Sequence, residues 1–175
     1  MARPVLRWAS PCDDDALGWL MFEAIHAEPS PYSVAERRAW RSEPHSGPEW
    51  SERLSAQSVL IAEDAQGPVG FLTLRPDGYL DLGYLLPRGR GRGLFRQLHE
   101  RIEAEARARG LTRLFTHASL GAEGPFLAMG YVVTEREVVD RHGQRLHRCA
   151  MERALPGSIR TRRLGLRVDL RVRTA

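Results

Sequence analysis

The sequence predicts an α/β fold in which helices flank a mixed, mostly antiparallel sheet. Three observations carry that prediction. Short apolar runs at 58–63, 69–75 and 79–86 are separated by Asp64-Ala65-Gln66-Gly67 and by Asp77-Gly78, and Asp-Gly is a strong hairpin signal. Leu94, Leu98, Ile102 and Ala106 recur at four-residue spacing until Gly110, the pattern of an amphipathic helix with a glycine stop. That helix lies between two strand-like runs, 79–86 and 111–118, so one βαβ crossover sits among hairpins.

The remaining elements follow in order. Residues 5–8 read as a first strand. Asp13, Asp14 and Asp15 place acids where a helix N-terminus favours them, opening a helix to about residue 27 that Pro29 and Pro31 end. Ser33 with Glu36, and Ser46 with Glu49, are capping-box pairs that open two short helices, one through Trp40 and one through Trp50 and Leu54. Beyond the crossover a short helix is expected from about Glu123, then strands at 131–140 and 144–151 joined by His142-Gly143. After Pro156-Gly157, Leu164, Leu166, Val168, Leu170 and Val172 alternate with polar residues or glycine. Period-two alternation reads as an extra C-terminal strand that covers a sheet edge or pairs with a second subunit, giving a homodimer. A disordered basic tail is the competing reading. The organisation expected is one domain over 1–155 and an arginine-rich extension over 156–175.

Composition narrows the function classes. A length of 175 residues suits one domain, and 42% hydrophobic with 27% charged residues describes a globular chain. No apolar run reaches membrane-spanning length, and Met1-Ala2-Arg3-Pro4 has no apolar signal region, so a cytoplasmic protein without a membrane partner is expected. Cys12 and Cys149 form neither a disulfide framework nor a close-spaced metal pair; two reduced, partly buried thiols are expected, and no metal. The net charge of +4 comes entirely from arginine on the basic side, since the chain has no lysine. Arginines interleave with Glu100, Glu103 and Glu105 on the long helix, which describes a solvated face rather than a nucleic-acid surface.

The segment Arg90-Gly91-Arg92-Gly93-Leu94-Phe95 carries the most chemistry. Strand, glycine-bearing turn and helix N-terminus together make an anion site: unpaired N–H groups point outward, and glycine lets a phosphate reach the backbone. The chain has no Gly-x-x-x-x-Gly-Lys-Ser/Thr, and Gly89, Gly91 and Gly93 stand at uniform two-residue steps unlike Gly-x-Gly-x-x-Gly.

This context resembles the GNAT superfamily of N-acetyltransferases, whose motif is Arg/Gln-x-x-Gly-x-Gly/Ala after a Pro-ended strand. Two registers are open. Arg90-x-x-Gly93-x-Phe95 fits the helix length to Gly110, and Arg88-x-x-Gly91-x-Gly93 fits the motif letters. Downstream, Ser119-x-x-Ala122-x-x-x-Phe126-x-x-x-Gly130-Tyr131 is similar to the family's Asn-x-x-Ala-x-x-x-Tyr-x-x-x-Gly-Phe. It looks like a branch with Ser-x-x-Ala-x-Pro-Phe-Phe, although Pro125 falls one place late.

The resemblance implies acetyl-CoA as donor and a small-molecule or peptide amine as acceptor. It implies that the backbone from Arg90 through Gly91, Arg92, Gly93, Leu94, Phe95 and Arg96 takes the pyrophosphate. It also implies that Tyr84, Leu85 and Leu86 pair with the pantetheine arm, and that the N–H near Leu85 steadies the oxyanion. Ser119 and Phe126 complete the cofactor set. An amine with a pKa of about 10.4 must lose a proton before attack; Asp81 is the first candidate base and His117 the second. Phe126 stands where many family members carry a proton-donating tyrosine, which leaves Ser119 or Tyr131 as substitutes. Phe22, Tyr32, Trp40 and Trp50 are either an aromatic acceptor wall or core, with His26, His45 and Glu23 lending polarity. Two further functions stay open: a non-catalytic acetyl-CoA-binding or sensing domain, and a nucleic-acid-associated protein using the basic tail.

Overall fold

The computed structural model describes residues 4–156. The alternating run at 164–172, read above as an extra strand, lies outside the described residues. In chain order the elements are β1 (Val5–Trp8), α1 (Asp14–His26), α2 (Val34–Trp40), α3 (Pro48–Ser55), β2 (Ser58–Asp64), β3 (Gly67–Leu74) and β4 (Gly83–Leu85). After these come α4 (Leu94–Ala108), β5 (Arg113–Ser119), α5 (Leu120–Ala128), β6 (Val132–Arg141) and β7 (Gln144–Ala154).

The strands form two antiparallel sheets, ordered β1-β2-β3-β4 and β5-β7-β6. They meet at one parallel bridge, Tyr79 to Phe115. Leu80 N–H donates to the Phe115 carbonyl at 2.8 Å, Phe115 N–H to the Gly78 carbonyl at 3.2 Å, and the Thr116 hydroxyl to the Leu80 carbonyl at 2.9 Å. Beyond this seam β4 and β5 form no ladder. The mixed, mostly antiparallel arrangement expected from sequence is present, opened by a gap on one side of the seam.

The apolar stripe of α4 supplies Leu94, Leu98, Ile102 and Ala106, all at or below 2% exposure, and the helix packs on β2 and β3. Full burial of each large aliphatic among them stabilises the fold by roughly 1.5–3 kcal/mol. Gly110, in the left-handed region at φ 76°, ends this helix as its position suggested. Helix α1 packs on β3 and β4. Gly18 lets α1 press against the loop between α2 and α3, since a Cβ there would sit 1.9 Å from the His45 carbonyl oxygen.

Four local expectations need correction. The run 79–86 is not one strand: only Gly83–Leu85 is extended in a ladder, because Tyr79 and Leu80 pair across to Phe115 while the Thr73 hydroxyl takes Leu82 N–H at 2.9 Å. Ser46 does not cap α3; Gly47 occupies the N-cap at φ 79°, with Pro48 following. By contrast the Ser33/Glu36 box closes reciprocally, at 3.2 and 2.7 Å. The two cysteines are not alike, Cys12 being exposed and Cys149 buried. Helix α5 begins at Leu120, earlier than Glu123, with Ser119 at its N-cap.

Beneath α4 a buried polar pair yields a pH-dependent stability. His99 Nε2 lies 2.9 Å from the Tyr131 hydroxyl, and the ring is 1% exposed. Burial pushes the imidazole down to about 4, with Glu103 opposing and Arg153 reinforcing the shift. The unfolded chain therefore takes up this proton near pH 6.5, while the folded chain resists until about pH 4. Stability from this group is intact above pH 6.5, is lost as the pH falls toward 4, and changes no further below. The loss expected is about 3 kcal/mol. Urea unfolding between pH 7 and 4 should show a steeper decline for wild type than for His99→Gln; parallel declines would refute it.

Candidate active site

The turn leading into α4 is pinned from behind. Arg88 donates to the Asp64 carboxylate at 3.1 Å and to the Pro68 carbonyl at 3.0 Å, tying the turn to the β2–β3 end. Gly91 and Gly93 both take left-handed backbone conformations, φ 71° and 68°, and a Cβ at either would meet nothing within 4 Å. Gly93 is the N-cap of α4. The first internal bond of the helix is Gln97 N–H to the Gly93 carbonyl at 3.1 Å, which leaves the N–H groups of Leu94, Phe95 and Arg96 without helical acceptors. Arg90 reaches across to the Ala24 carbonyl of α1 at 3.3 Å. The open face of this turn is an anion cradle.

The gap between the sheets runs up to that cradle. Leu86 N–H donates to the Val69 carbonyl at 2.9 Å, so Leu86 faces β3. Alternation along an edge strand then turns the N–H and C=O of Gly83 and Leu85 outward into the gap. A cleft of about 420 Å³ follows, lined by Tyr84, Leu85, Arg90, Gly91, Gly93, Leu94 and Phe95 among others, with Ser119 on the far side.

A second cavity of about 230 Å³ adjoins it and includes Tyr79, Asp81, His117, Arg41 and Arg53. The two cavities share Tyr32, Trp40, Tyr84 and Ser119. Tyr32 fixes this junction: its hydroxyl donates to the His147 carbonyl at 2.6 Å and accepts Leu120 N–H at 2.9 Å. Ser119 makes no capping bond with its side chain. Burial raises the Tyr84 phenol well above its ordinary value, keeping it protonated.

Two candidate bases meet in the second cavity. Asp81 accepts two hydrogen bonds from Arg53, both at 2.8 Å, and one from Gln57 at 3.1 Å. Burial acts to raise its pKa, but Arg53 and Gln57 outweigh it and hold the carboxyl below its usual range. Its lone pairs are engaged, which weakens it as a base. His117 Nδ1 lies 2.9 Å from the Tyr79 hydroxyl, and Nε2 lies 3.5 Å from Glu137 Oε1. Arg148 holds Glu137 ionised through a 2.7 Å contact.

Other sequence candidates fall elsewhere. Leu86 is core, facing β3. Phe126 is 4% exposed and packs edge-on against Phe95 and Tyr131, at 5.1 and 4.9 Å between centroids, lining neither cavity. Apolar contacts on both sides draw that ring inward. Tyr131 turns its hydroxyl to His99, away from both cavities. Arg92 and Arg96 are exposed and line neither cavity. Of the front aromatics, Tyr32 and Trp40 form the wall, whereas Trp50 is core, stacked on His45 and donating to the Asp14 carbonyl at 2.7 Å. Sequence reasoning missed Tyr79, Arg41 and Arg141, three wall residues whose neighbours lie far along the chain.

A split sheet with an anion cradle at one mouth, and a polar cavity meeting it end to end, has the shape to bring a phosphate-bearing ligand against a second molecule. Comparison with known proteins narrows the class. The family described as acetyltransferase (GNAT) domain matches residues 25–153. A GCN5-related N-acetyltransferase from Rhodopseudomonas palustris is 32% identical, over 89% of this chain and 98% of that one, with a TM-score of 0.80. A GNAT phosphinothricin acetyltransferase from Sinorhizobium meliloti, solved with acetyl-CoA, is 19% identical over 88% and 89%, TM-score 0.67. YncA from Salmonella typhimurium, solved with its cofactor acetyl-CoA, is 18% identical over 90% and 96%, TM-score 0.63. No curated protein sequence matches the chain. The chain belongs to the GNAT acetyltransferase family, whose acetyl donor is acetyl-CoA. The residues present fit that donor: free N–H groups at the cradle for a pyrophosphate, and an outward-facing strand edge for a peptide-like arm. Among the described residues no helix is long and apolar enough to cross a membrane.

Proposed function

We propose that this protein is an N-acetyltransferase acting on a small amine, with the donor in the larger cleft and the acceptor in the smaller. The observation that carries this reading is the meeting of the two cavities at Tyr32, Trp40, Tyr84 and Ser119. Bound acetyl-CoA supplies an activated acetyl thioester. Arg90, Gly91, Gly93 and the N–H groups of Leu94, Phe95 and Arg96 hold its pyrophosphate, and Leu85 N–H, turned into the gap, supplies an oxyanion donor.

His117 is the proton acceptor in this reading. The Tyr79 hydroxyl takes a proton from the amine as it passes its own to His117 Nδ1, and Glu137 faces the imidazolium so formed. Asp81 positions Arg53 rather than acting as the base. Ser119 and Tyr84, the hydroxyl-bearing residues at the junction, donate hydrogen bonds to the departing thiolate, which takes its proton from solvent. A thiol with an ordinary pKa of about 8.5 leaves adequately with modest help. The catalytic unit ends near Leu155, and the unlinked thiols Cys12 and Cys149 support a reducing, cytoplasmic setting.

The test is release of free CoA from acetyl-CoA by purified protein across a panel of small amines. Amine-dependent release, with the acetyl group recovered on nitrogen, is expected. Binding of acetyl-CoA without release by any amine would leave a binding domain instead.

A further inference from the structure

The wall of the smaller cavity is short of negative charge. Arg41, Arg53, Arg141 and Arg148 line it, against Asp81 as the one lining carboxylate. Asp81 is spent on Arg53, and Arg148 is matched by Glu137 at 2.7 Å. Arg41 and Arg141 have no ion-pair partner among the described residues, and the buried Arg41 Nε has no hydrogen-bond acceptor. That Nε is closed to solvent, so a carboxylate in the cavity would meet the Nη end of the planar guanidinium in a charge-assisted pairing.

The position of Arg41 is fixed by its backbone. Its N–H donates to the Arg37 carbonyl at 3.0 Å, and its own carbonyl accepts from His26 Nε2 at 2.8 Å. Burial lowers the Arg41 pKa, and the like charges of Arg53 and Arg141 lower it further. His45, on the same wall, is pushed down to about 4 by burial and by Arg41 and Arg53, so it is neutral at pH 7. A polycationic acceptor would meet repulsion here, and an anion would relieve it.

We propose that the acceptor is an α-amino acid whose carboxylate is bound by Arg41 and Arg141 while its amino group faces Tyr79. This rests on the acetyl-transfer reading above. The volume of about 230 Å³ suits such a molecule, being below the ~300–1,000 Å³ of sites for drug-sized ligands.

The experiment measures CoA release against a mixture of the twenty α-amino acids, and against the same mixture as α-carboxamides. Wild type and Arg41→Gln are compared, with the acetyl-CoA-induced Tm rise recorded for both. Losing charge-assisted hydrogen bonds should lower turnover of the carboxamides about 10–100-fold relative to the acids. Arg41→Gln should erase that preference and keep the Tm rise. Carboxamides accepted as well as the acids would overturn the proposal while leaving amine acetylation standing. Release from neither mixture would overturn it too, and the broader amine panel then decides whether acetyl transfer falls with it. Loss of the Tm rise in a folded Arg41→Gln protein would assign this arginine to the donor and likewise overturn the proposal. The acid-to-amide comparison in wild type holds even if the variant does not fold.

Discussion

Replacing Gly93 by glutamate should abolish the rise in Tm that acetyl-CoA is expected to give the native protein. At about 100 times its dissociation constant, a ligand bound only by the folded state adds ~2.7 kcal/mol. For a chain of this size that is roughly 5–10 °C. The glutamate side chain has room, since a Cβ at this position meets nothing within 4 Å. Its cost in the unliganded protein is the left-handed backbone at φ 68°, about 1–2 kcal/mol for a side-chain-bearing residue. A carboxylate at a helix N-terminus interacts favourably with the dipole and offsets part of that. The same carboxylate occupies the N–H groups that a pyrophosphate needs. Gly93→Ala separates the two effects: it keeps the strain, adds no charge, and should retain most of the shift. Differential scanning fluorimetry of the three proteins decides the matter, and an undiminished shift in Gly93→Glu would remove the cradle from the donor site.

His117→Ala should lower kcat by about 10²–10⁴, the usual contribution of a positioned base. Tyr79→Phe should lose a comparable amount if the proton passes through the hydroxyl that lies 2.9 Å from Nδ1, as the proposed relay requires. The double variant should be little worse than either single one, since groups acting as a unit are not additive. Asp81→Asn is the contrast. It frees Arg53 and perturbs the acceptor wall, so it should raise KM more than it lowers kcat. Steady-state kinetics with a fixed acceptor, repeated as a pH profile, would check all four. An Asp81→Asn enzyme that loses kcat while His117→Ala keeps it would reverse the assignment of the two residues.

Local signals in the chain were reliable where one element decided the outcome. Four-residue spacing located α4 and its buried stripe, and Gly110 ended it. The Ser33/Glu36 box closed as its spacing required. The glycine turn was legible because its chemistry is backbone chemistry, set by positive φ and a following helix. Reading failed where distant partners compete for a residue. Apolarity made 79–86 look like one strand, but Phe115 takes its first half and β3 its last. Asp81, read as a candidate base, has a partner the sequence did not reveal, Arg53 from α3. Phe126 aligned with a catalytic position, yet Phe95 and Tyr131 pack its ring into the core. Arg41 was invisible for a similar reason: an arginine at the end of a short helix looks solvated until the loops around it are placed.

With donor and acceptor placed as proposed, the four residues shared by the two cavities make the two ligands share part of one wall. A change in Tyr32, Trp40, Tyr84 or Ser119 caused by one ligand is felt directly by the other. Linkage then requires a single coupling free energy: whatever factor the donor contributes to acceptor affinity, the acceptor returns to the donor. Selectivity for the amine is thus a property of the ternary assembly, and a binding constant measured for either ligand alone describes only half of it.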